Sequence, residues 1–189
     1  AAERVKTDPP AAPALDRDTL AQEMTAPYAL SDAQIAAFRR DGYIKLKGVL
    51  SPGAVTALRQ GLARRLGAAF HTELDGGADG RFLSEEMAWL EDEVLRVFTL
   101  SPRIAGICGA LLGVEAVRLY HDNLLSKEPG CGRTPWHYDD HHFPLNTHDV
   151  VTAWIPAQAI PRAMGPLAFA RPIDVWKTVA HVPFDKTDD

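Results

Sequence analysis

Cysteine and positive charge are both scarce in this chain. Only two cysteines occur among 189 residues, Cys108 and Cys131. This excludes a small fold held together by disulfides and favours a reducing compartment, so we expect a cytoplasmic protein. The net charge of -5 offers no basic excess of the kind that a nucleic-acid or anionic-membrane surface attracts. We therefore expect neither kind of partner.

Long apolar runs are also missing. No uncharged apolar stretch approaches the roughly 18 residues that are needed to cross a bilayer. The first residues, AAERVKTDPPAAPALD, lack the apolar centre of a secretory signal. With 46% hydrophobic and 24% charged residues, the composition is instead that of an ordinary globular domain. The sequence carries no indication of oligomeric state.

Helix signals dominate the first part of the chain. Residues 1–14, rich in Ala and Pro, predict a flexible tail, and a single domain is expected over 15–189. Ser31 with Gln34 three residues later predicts a capping box, and Ser51 and Ser101 each stand before a proline at a helix start. These signals and the apolar spacing predict helices over 16–24, 31–42, 51–67, 84–98 and 101–113.

Strand-like segments follow residue 113. VEAVRLYHDNLLS, VVTAWIPAQ and GPLAFA predict strands separated by loops rich in Pro, Gly and His, and YIKLKGVL predicts an earlier strand. The helical part is thus expected over 15–113 and a β-rich core over 114–189. This order indicates an α+β domain in which helices flank an antiparallel sheet or a double-sheet barrel.

A candidate metal site lies in the stretch TPWHYDDHHFPLN. His137 and Asp139 are two residues apart, so on a strand both side chains would point to the same face. One imidazole and one carboxylate are two of the three ligands in the facial triad that binds Fe(II). The spacing alone is not specific, because a second triplet of this type occurs at His71-Thr72-Glu73.

A zinc site is the alternative for the same stretch. His137 and His141 have the spacing of ligands on a helix, but Tyr138 stands where a metalloprotease needs Glu. Pro135 and Pro144 also disfavour a helix here. We assign the remaining polar residues to pocket lining, the sheet or solvent: Asp140, His141, His142, His148, and His121 as a hydrogen-bonded strand residue.

Three longer motifs carry a family resemblance. LSDAQIAAFRRDGYIKLKGVLSPGAVTALRQGL resembles the opening of the phytanoyl-CoA dioxygenase family. LYHDNLLSKEPGCGRTPWHYDDHHFPL resembles its central segment, and VVTAWIPAQAIPRAMGPLAF the strand and turn that follow. The motifs occur in the family's order over most of residues 30–170. The resemblance, to the bacterial branch, implies an Fe(II)- and 2-oxoglutarate-dependent dioxygenase with a double-stranded β-helix (jelly-roll) core flanked by N-terminal helices.

The resemblance also implies roles for individual residues. His137 and Asp139 match the family's first two iron ligands and would form the catalytic centre. Three further residues fall at or near positions that are associated with 2-oxoglutarate, namely Trp154, Asn123 and Lys127. Candidates for the substrate pocket near the iron are Trp136, Tyr138, His142 and Phe143.

The third iron ligand is harder to assign. The family resemblance implies a distal His, followed about ten residues later by an Arg that pairs with 2-oxoglutarate. His181 is the one candidate, and no Arg follows it. The strands predicted after Gly113 are also fewer than the roughly eight of a jelly roll. We expect the C-terminal part of the core to be incomplete in this sequence; an unusual site completed by His181 and a non-catalytic relative remain alternatives.

The resulting hypothesis is an oxygenase that acts on a small organic molecule with O2. Oxidative decarboxylation of 2-oxoglutarate would be coupled to C–H abstraction, and Asp139 favours a hydroxylase-type enzyme over a halogenase, because related halogenases replace this carboxylate. Desaturation, ring formation and epimerisation share the same abstraction step and remain alternatives to hydroxylation. The acidic, Ala-rich composition resembles that of proteins from high-GC bacteria. It favours the tailoring of a secondary metabolite such as an antibiotic, or the hydroxylation of a compatible solute, over fatty acyl-CoA degradation. The alternatives are a non-catalytic jelly-roll binding protein and a cupin-like metal isomerase.

Overall fold

Helices and one small sheet form the described part of the chain. The computed structural model describes residues 12–67, the backbone of 72–74, and residues 80–137, 139, 143–147 and 149–170. The elements in chain order are α1 (Arg17–Thr25), α2 (Asp32–Asp41), α3 (Pro52–Leu66), β1 (Thr72–Leu74), β2 (Phe82–Glu86), α4 (Glu93–Thr99), α5 (Pro102–Leu112) and β3 (Asn123–Lys127). Short 3-10 helices cover Ala88–Leu90 and Arg162–Met164.

The predicted capping box of α2 is confirmed. The Ser31 hydroxyl accepts a hydrogen bond from the Gln34 backbone N–H at 3.3 Å, and the Gln34 side chain accepts one from the Ser31 N–H at 2.9 Å. Gly42 ends the helix with a φ of 76°, a conformation that glycine adopts without the steric penalty of a Cβ. Both ends of α2 were therefore encoded locally.

The serine-proline starts of α3 and α5 are confirmed as well. Ser51 accepts from the Ala54 N–H and Ser101 from the Ile104 N–H, each at 3.2 Å. The hydroxyl of Ser101 also donates to the Met24 carbonyl at 2.8 Å. This fully buried serine therefore joins the start of α5 to α1.

The single helix predicted over 84–98 is wrong. Residues 82–86 instead form β2, which pairs antiparallel with β3, with Leu83 opposite Ser126. Met87, at a φ of 57°, turns the chain into the short 3-10 helix, and α4 begins only after Asp92. Pairing with a strand far along the chain therefore outweighs the helical spacing of the apolar residues.

Most of the predicted strands are absent from the described residues. Residues 43–50 run irregularly, held by hydrogen bonds from the Tyr28 hydroxyl to the Lys47 carbonyl and from Arg103 to the Val49 carbonyl. Of residues 114–126 only 123–126 belong to a strand, β3, and the described residues from 149 to 170 hold a 3-10 helix and no strand. The double-stranded β-helix stays a prediction.

The hydrophobic core lies between the helices and β3. Its buried members are Leu20, Met24, Ala54, Ala57, Leu58, Ala88, Leu95, Phe98 and Leu124. Ile155 and Ala157 pack against this cluster from the C-terminal side, and Ala14 and Leu15 do so at the predicted boundary between tail and domain. The core thus fixes β3, whose far end leads to the candidate metal ligands.

The most apolar stretch of the described chain is part of this core. Glu93–Leu112 has a mean hydropathy of 1.4 over 20 residues, enough by length and composition for a membrane span. Leu100 and Ser101 divide it into α4 and α5, however, and both helices contact α1. The longer helix, α5, extends only about 16 Å at 1.5 Å per residue, against roughly 30 Å for a bilayer core. The stretch therefore serves as two core helices.

Asp92 fastens the start of α4. Its carboxylate accepts from the backbone N–H groups of Val94 at 2.9 Å and Leu95 at 3.0 Å, and from Arg64 Nε at 2.8 Å. Burial by itself raises the pKa of Asp92, but the hydrogen bonds from Arg64 and the helix N–H groups outweigh it, and the pKa lies below its ordinary value. The ionised carboxylate is thus the form that stabilises the fold.

We expect Asp92→Ala to lower the free energy of unfolding at pH 7 by about 2–3 kcal/mol, because a helix cap and an ion pair are lost together. Since the folded pKa is depressed, this stabilisation is present above the ordinary value of 3.8 and is lost as the pH falls through the folded pKa. Urea unfolding at pH 7 and pH 3 measures both effects. Asp41→Ala, which breaks the exposed Arg40–Asp41 pair, is the control, and an equal loss in that variant would contradict the prediction.

Candidate metal centre

His137 and Asp139 lie side by side after β3. His137 Nε2 is 3.3 Å from Asp139 Oδ1. Two ligands of one metal ion, at bond lengths of roughly 2.0–2.2 Å and at right angles, have donor atoms about 3 Å apart. The two side chains therefore form an ion pair whose separation is close to that of two ligands of one metal ion.

The backbone orients the His137 ring. Its Nδ1 lies 2.8 Å from the Pro135 carbonyl oxygen, an acceptor that places a ring proton on Nδ1 and leaves Nε2 on the side of the ring that faces Asp139. The hydrogen bond to Asp139 is the main cause that raises the pKa of His137, with the Pro135 carbonyl adding to it and burial opposing it. Metal-binding histidines commonly donate their second ring N–H in this way.

A complete triad is not found among the described residues. They contain no group of three or more His, Cys, Asp or Glu side chains that could hold a metal ion. His181, the candidate third ligand, lies outside the described residues, as do His71, Tyr138 and His142. One imidazole and one carboxylate nonetheless match two thirds of the facial donor set for Fe(II).

The predicted cosubstrate residues lie at separate places. Asn123 begins β3, and its Oδ1 accepts a hydrogen bond from the Ser84 hydroxyl of β2 at 2.9 Å. Trp154 is 45% exposed and precedes Ile155, which packs against the core. The core and the sheet therefore fix the backbone of both residues.

Lys127 contacts the loop that leads to the candidate metal ligands His137 and Asp139. Its ammonium group donates to the Gly132 carbonyl at 2.8 Å and lies 4.8 Å from the centre of the Phe82 ring. A cation over an aromatic face is attracted to it electrostatically. The charge of Lys127 thus stabilises the connection between β3 and His137.

Of the predicted pocket residues, Trp136 is 75% exposed and Phe143 lies in an aromatic cluster. The Phe143 ring centre is 5.0 Å from that of Tyr120 and 6.1 Å from that of His121.

The prediction that His121 is a hydrogen-bonded strand residue is wrong, because it precedes β3 and packs edge-on against Tyr120. The available sequence signal was the adjacent aromatic pair Tyr120 and His121, which the strand-like alternation of the surrounding residues obscured.

Asp122 is a second residue that sequence reasoning missed. Its Oδ2 accepts from the Trp89 N–H at 3.1 Å and from the Thr99 hydroxyl at 3.2 Å. Its Oδ1 is buried with no hydrogen-bond partner within the described part of the chain. Burial is the main cause that raises the pKa of Asp122. The carboxylate links the 3-10 helix and α4 to the start of β3.

Asp122→Asn is expected to become more stable relative to the wild-type protein as the pH rises from 3 to 6. The folded pKa of Asp122 is raised above 3.8, so the contribution of this carboxyl group to the free energy of unfolding of the wild-type protein falls as the pH rises through this interval, whereas Asn does not titrate. Urea unfolding at pH 3, 4.5 and 6 gives the difference between the two proteins. The exposed Asp149→Asn is the control, and a difference that does not change with pH for Asp122→Asn would contradict the account.

Comparisons with known proteins give one match. The family model described as phytanoyl-CoA dioxygenase (PhyH) matches residues 38–171, well over half of the chain. No curated protein and no solved structure matches the chain. The matched region includes α3, β3, the His137–Asp139 pair and Trp154, and the family is one of Fe(II)- and 2-oxoglutarate-dependent dioxygenases. With the candidate metal ligands His137 and Asp139 inside the matched region, the chain belongs to the phytanoyl-CoA dioxygenase family.

Proposed function

We propose that this protein is a non-haem Fe(II)- and 2-oxoglutarate-dependent oxygenase that hydroxylates a small organic molecule. The observation that carries the proposal is the pairing of His137 Nε2 with Asp139 Oδ1 at 3.3 Å, inside the region that matches the family. The hydrogen bond between His137 Nδ1 and the Pro135 carbonyl adds support, because metal-binding histidines commonly donate their second ring N–H to a backbone carbonyl in this way.

His137 and Asp139 would hold the Fe(II) ion, and the donor chemistry of the two side chains suits that metal. A bound Fe(II) ion would activate O2, which is the oxidant for both the decarboxylation of 2-oxoglutarate and the substrate. We assign the third position to a histidine beyond the described residues, with His181 as the candidate in this sequence. The jelly-roll core belongs to the same proposal.

The chain's own residues would hold and surround the reactants. Trp154 and Asn123 are the proposed contacts of 2-oxoglutarate. The cluster of Tyr120, His121 and Phe143 joins the segment before β3 to the segment after Asp139, and its ring faces suit an apolar or aromatic substrate. A secondary metabolite undergoing a tailoring hydroxylation is our proposed substrate class.

Fe(II)-dependent conversion of 2-oxoglutarate to succinate tests the proposal. We expect the purified protein with Fe(II), 2-oxoglutarate, ascorbate and O2 to form succinate slowly when no other substrate is present. No succinate should form when Zn(II) replaces Fe(II). Succinate should form faster with an accepted aromatic substrate. Metal binding that is indifferent to 2-oxoglutarate would point to a cupin-like isomerase, and a protein that retains no metal would point to a non-catalytic binding protein. Either result would overturn the proposal.

A further inference from the structure

The loop that connects β3 to the metal pair is fastened to the start of β2. We name residues 128–133 the anchored loop. Inside it, the Cys131 N–H donates to the Glu128 carbonyl at 3.1 Å, and Gly130 takes a φ of 88°. Lys127 donates to the Gly132 carbonyl from the end of β3. The loop is thus a closed turn rather than an open connection.

Arg81 and Glu128 join the anchored loop to the strand before it. The Glu128 N–H donates to the Arg81 carbonyl at 3.0 Å, and the Arg81 N–H donates to Glu128 Oε2 at 3.2 Å. The guanidinium Nε of Arg81 lies 3.0 Å from each carboxylate oxygen. Arg81 and Glu128 are therefore joined through both their backbones and their side chains. This pair continues the antiparallel pairing of β2 and β3 by one residue on each strand.

Gly80 allows the anchored loop to lie directly on the backbone. A Cβ at this position would stand 2.5 Å from Cys131 N and 2.6 Å from the Pro129 carbonyl oxygen. Both neighbours are backbone atoms, which cannot turn away as a side chain can. Any residue other than glycine at position 80 would therefore push the loop off β2.

The anchored loop is the last fastened point before His137. Only residues 134–136 lie between them, and within the described part the chain from Glu128 to His137 forms no helix or strand. A ligand on an irregular segment depends on its anchors for its position, and a displacement of 1 Å in a reacting group costs as much as about 100-fold in rate.

We infer that the Arg81–Glu128 pair, supported by Lys127 and Gly80, is a clamp that positions His137 for iron. Arg81 and Glu128 are positioning residues, because they act through the loop and not on the reactants. This inference rests on the proposed function, since it takes the metal at His137 to be iron. It adds a determinant of iron affinity that lies outside the ligand set.

Glu128→Ala tests the clamp with two readouts. The first is the rate at which iodoacetamide alkylates Cys131, measured by peptide mass spectrometry without any metal. The second is the anaerobic dissociation constant for Fe(II) in the presence of 2-oxoglutarate. Cys108 serves as an internal reference for alkylation, because it lies in α5 and burial raises the pKa of its thiol. Glu115→Ala, an exposed change after α5, is the matched control.

We expect Glu128→Ala to raise the Cys131 alkylation rate several-fold and to weaken Fe(II) binding about tenfold, the low end of the range for changes next to metal ligands. Glu128→Gln, which keeps one acceptor oxygen, should fall between Glu128→Ala and the wild type in both readouts. The melting temperature of each variant shows whether the fold is retained. Glu115→Ala should change neither readout.

The outcomes separate the clamp from the proposed function. Unchanged Cys131 alkylation in Glu128→Ala would overturn the clamp itself. Faster alkylation of Cys131 in Glu128→Ala, together with an unchanged Fe(II) affinity, would overturn the role of the clamp in positioning His137. A wild-type protein that binds no Fe(II) at all would overturn the proposed function, while the alkylation rates would still decide whether Arg81 and Glu128 fasten the loop.

Discussion

His137→Ala is expected to abolish the Fe(II)-dependent decarboxylation of 2-oxoglutarate and to weaken Fe(II) binding by at least about 100-fold, since a metal site held by few ligands loses most of its affinity with any one of them. Asp139→Ala should act in the same way. Decarboxylation is measured by CO2 release, and Fe(II) affinity by anaerobic titration.

Asp149→Ala is the control for the loss of a carboxylate nearby. Asp149 is exposed, and its backbone N–H donates to the Thr147 hydroxyl, so neither readout should change. The melting temperatures of His137→Ala and Asp139→Ala should stay close to that of the wild type, because both side chains are partly exposed. His137→Ala with an Fe(II) affinity within about threefold of the wild type would exclude it as a ligand.

Leu20→Ala is expected to cause the largest loss of stability, about 2–5 kcal/mol in the free energy of unfolding. Leu20 is completely buried in α1, within the cluster that also includes Phe98 and Leu124. Removing its isobutyl group loses both the transfer free energy and the packing around the cavity. For a domain of this size the melting temperature should fall by roughly 5–15 °C.

Leu167→Ala is the matched control, because the same atoms are removed from a side chain that is 48% exposed. We expect a loss of less than about 1 kcal/mol there. Urea unfolding of both variants at pH 7 gives the comparison. If the two losses were equal, the helical layer around α1 would not be the core on which β3 rests.

The helix starts could be predicted because their causes are local. Ser31 and Gln34 satisfy each other's backbone N–H groups within one turn, and a serine followed by proline fixes the starts of α3 and α5 in the same way. Such signals depend only on neighbouring residues. Distant parts of the chain do not alter them.

The secondary-structure predictions that were wrong concern segments whose hydrogen-bond partners lie far along the chain. Residues 82–86 form a strand because β3 supplies the opposite edge, and no local pattern shows where that edge will come from. Residues 43–50 alternate like a strand but have the Tyr28 hydroxyl and Arg103 as hydrogen-bond partners instead of a neighbouring strand. Alternation of apolar and polar residues therefore indicates which side chains are buried, but it does not show that the backbone pairs with a neighbouring strand.

In the candidate site, too, local sequence patterns predict some residues, whereas contacts between distant residues cannot be predicted from them. The spacing of His137 and Asp139 was no better than that of His71 and Glu73, and only the surrounding motifs separated them. Arg81 and Glu128, 47 residues apart, gave no sequence signal, because an ion pair of this kind depends on how β2 and β3 align. Residues that position a metal ligand from a distance are thus visible only in the folded chain.

Anaerobic titration of the wild-type protein with Fe(II) and 2-oxoglutarate tests the central claim most directly. 2-Oxoglutarate that chelates Fe(II) in a site with His137 and Asp139 should give a visible charge-transfer band that requires metal and cosubstrate together and saturates at one equivalent of each. The band should be missing in His137→Ala and present in Asp149→Ala. A folded wild-type protein that gives no band with both components would contradict the assignment of this site to an Fe(II)- and 2-oxoglutarate-dependent oxygenase.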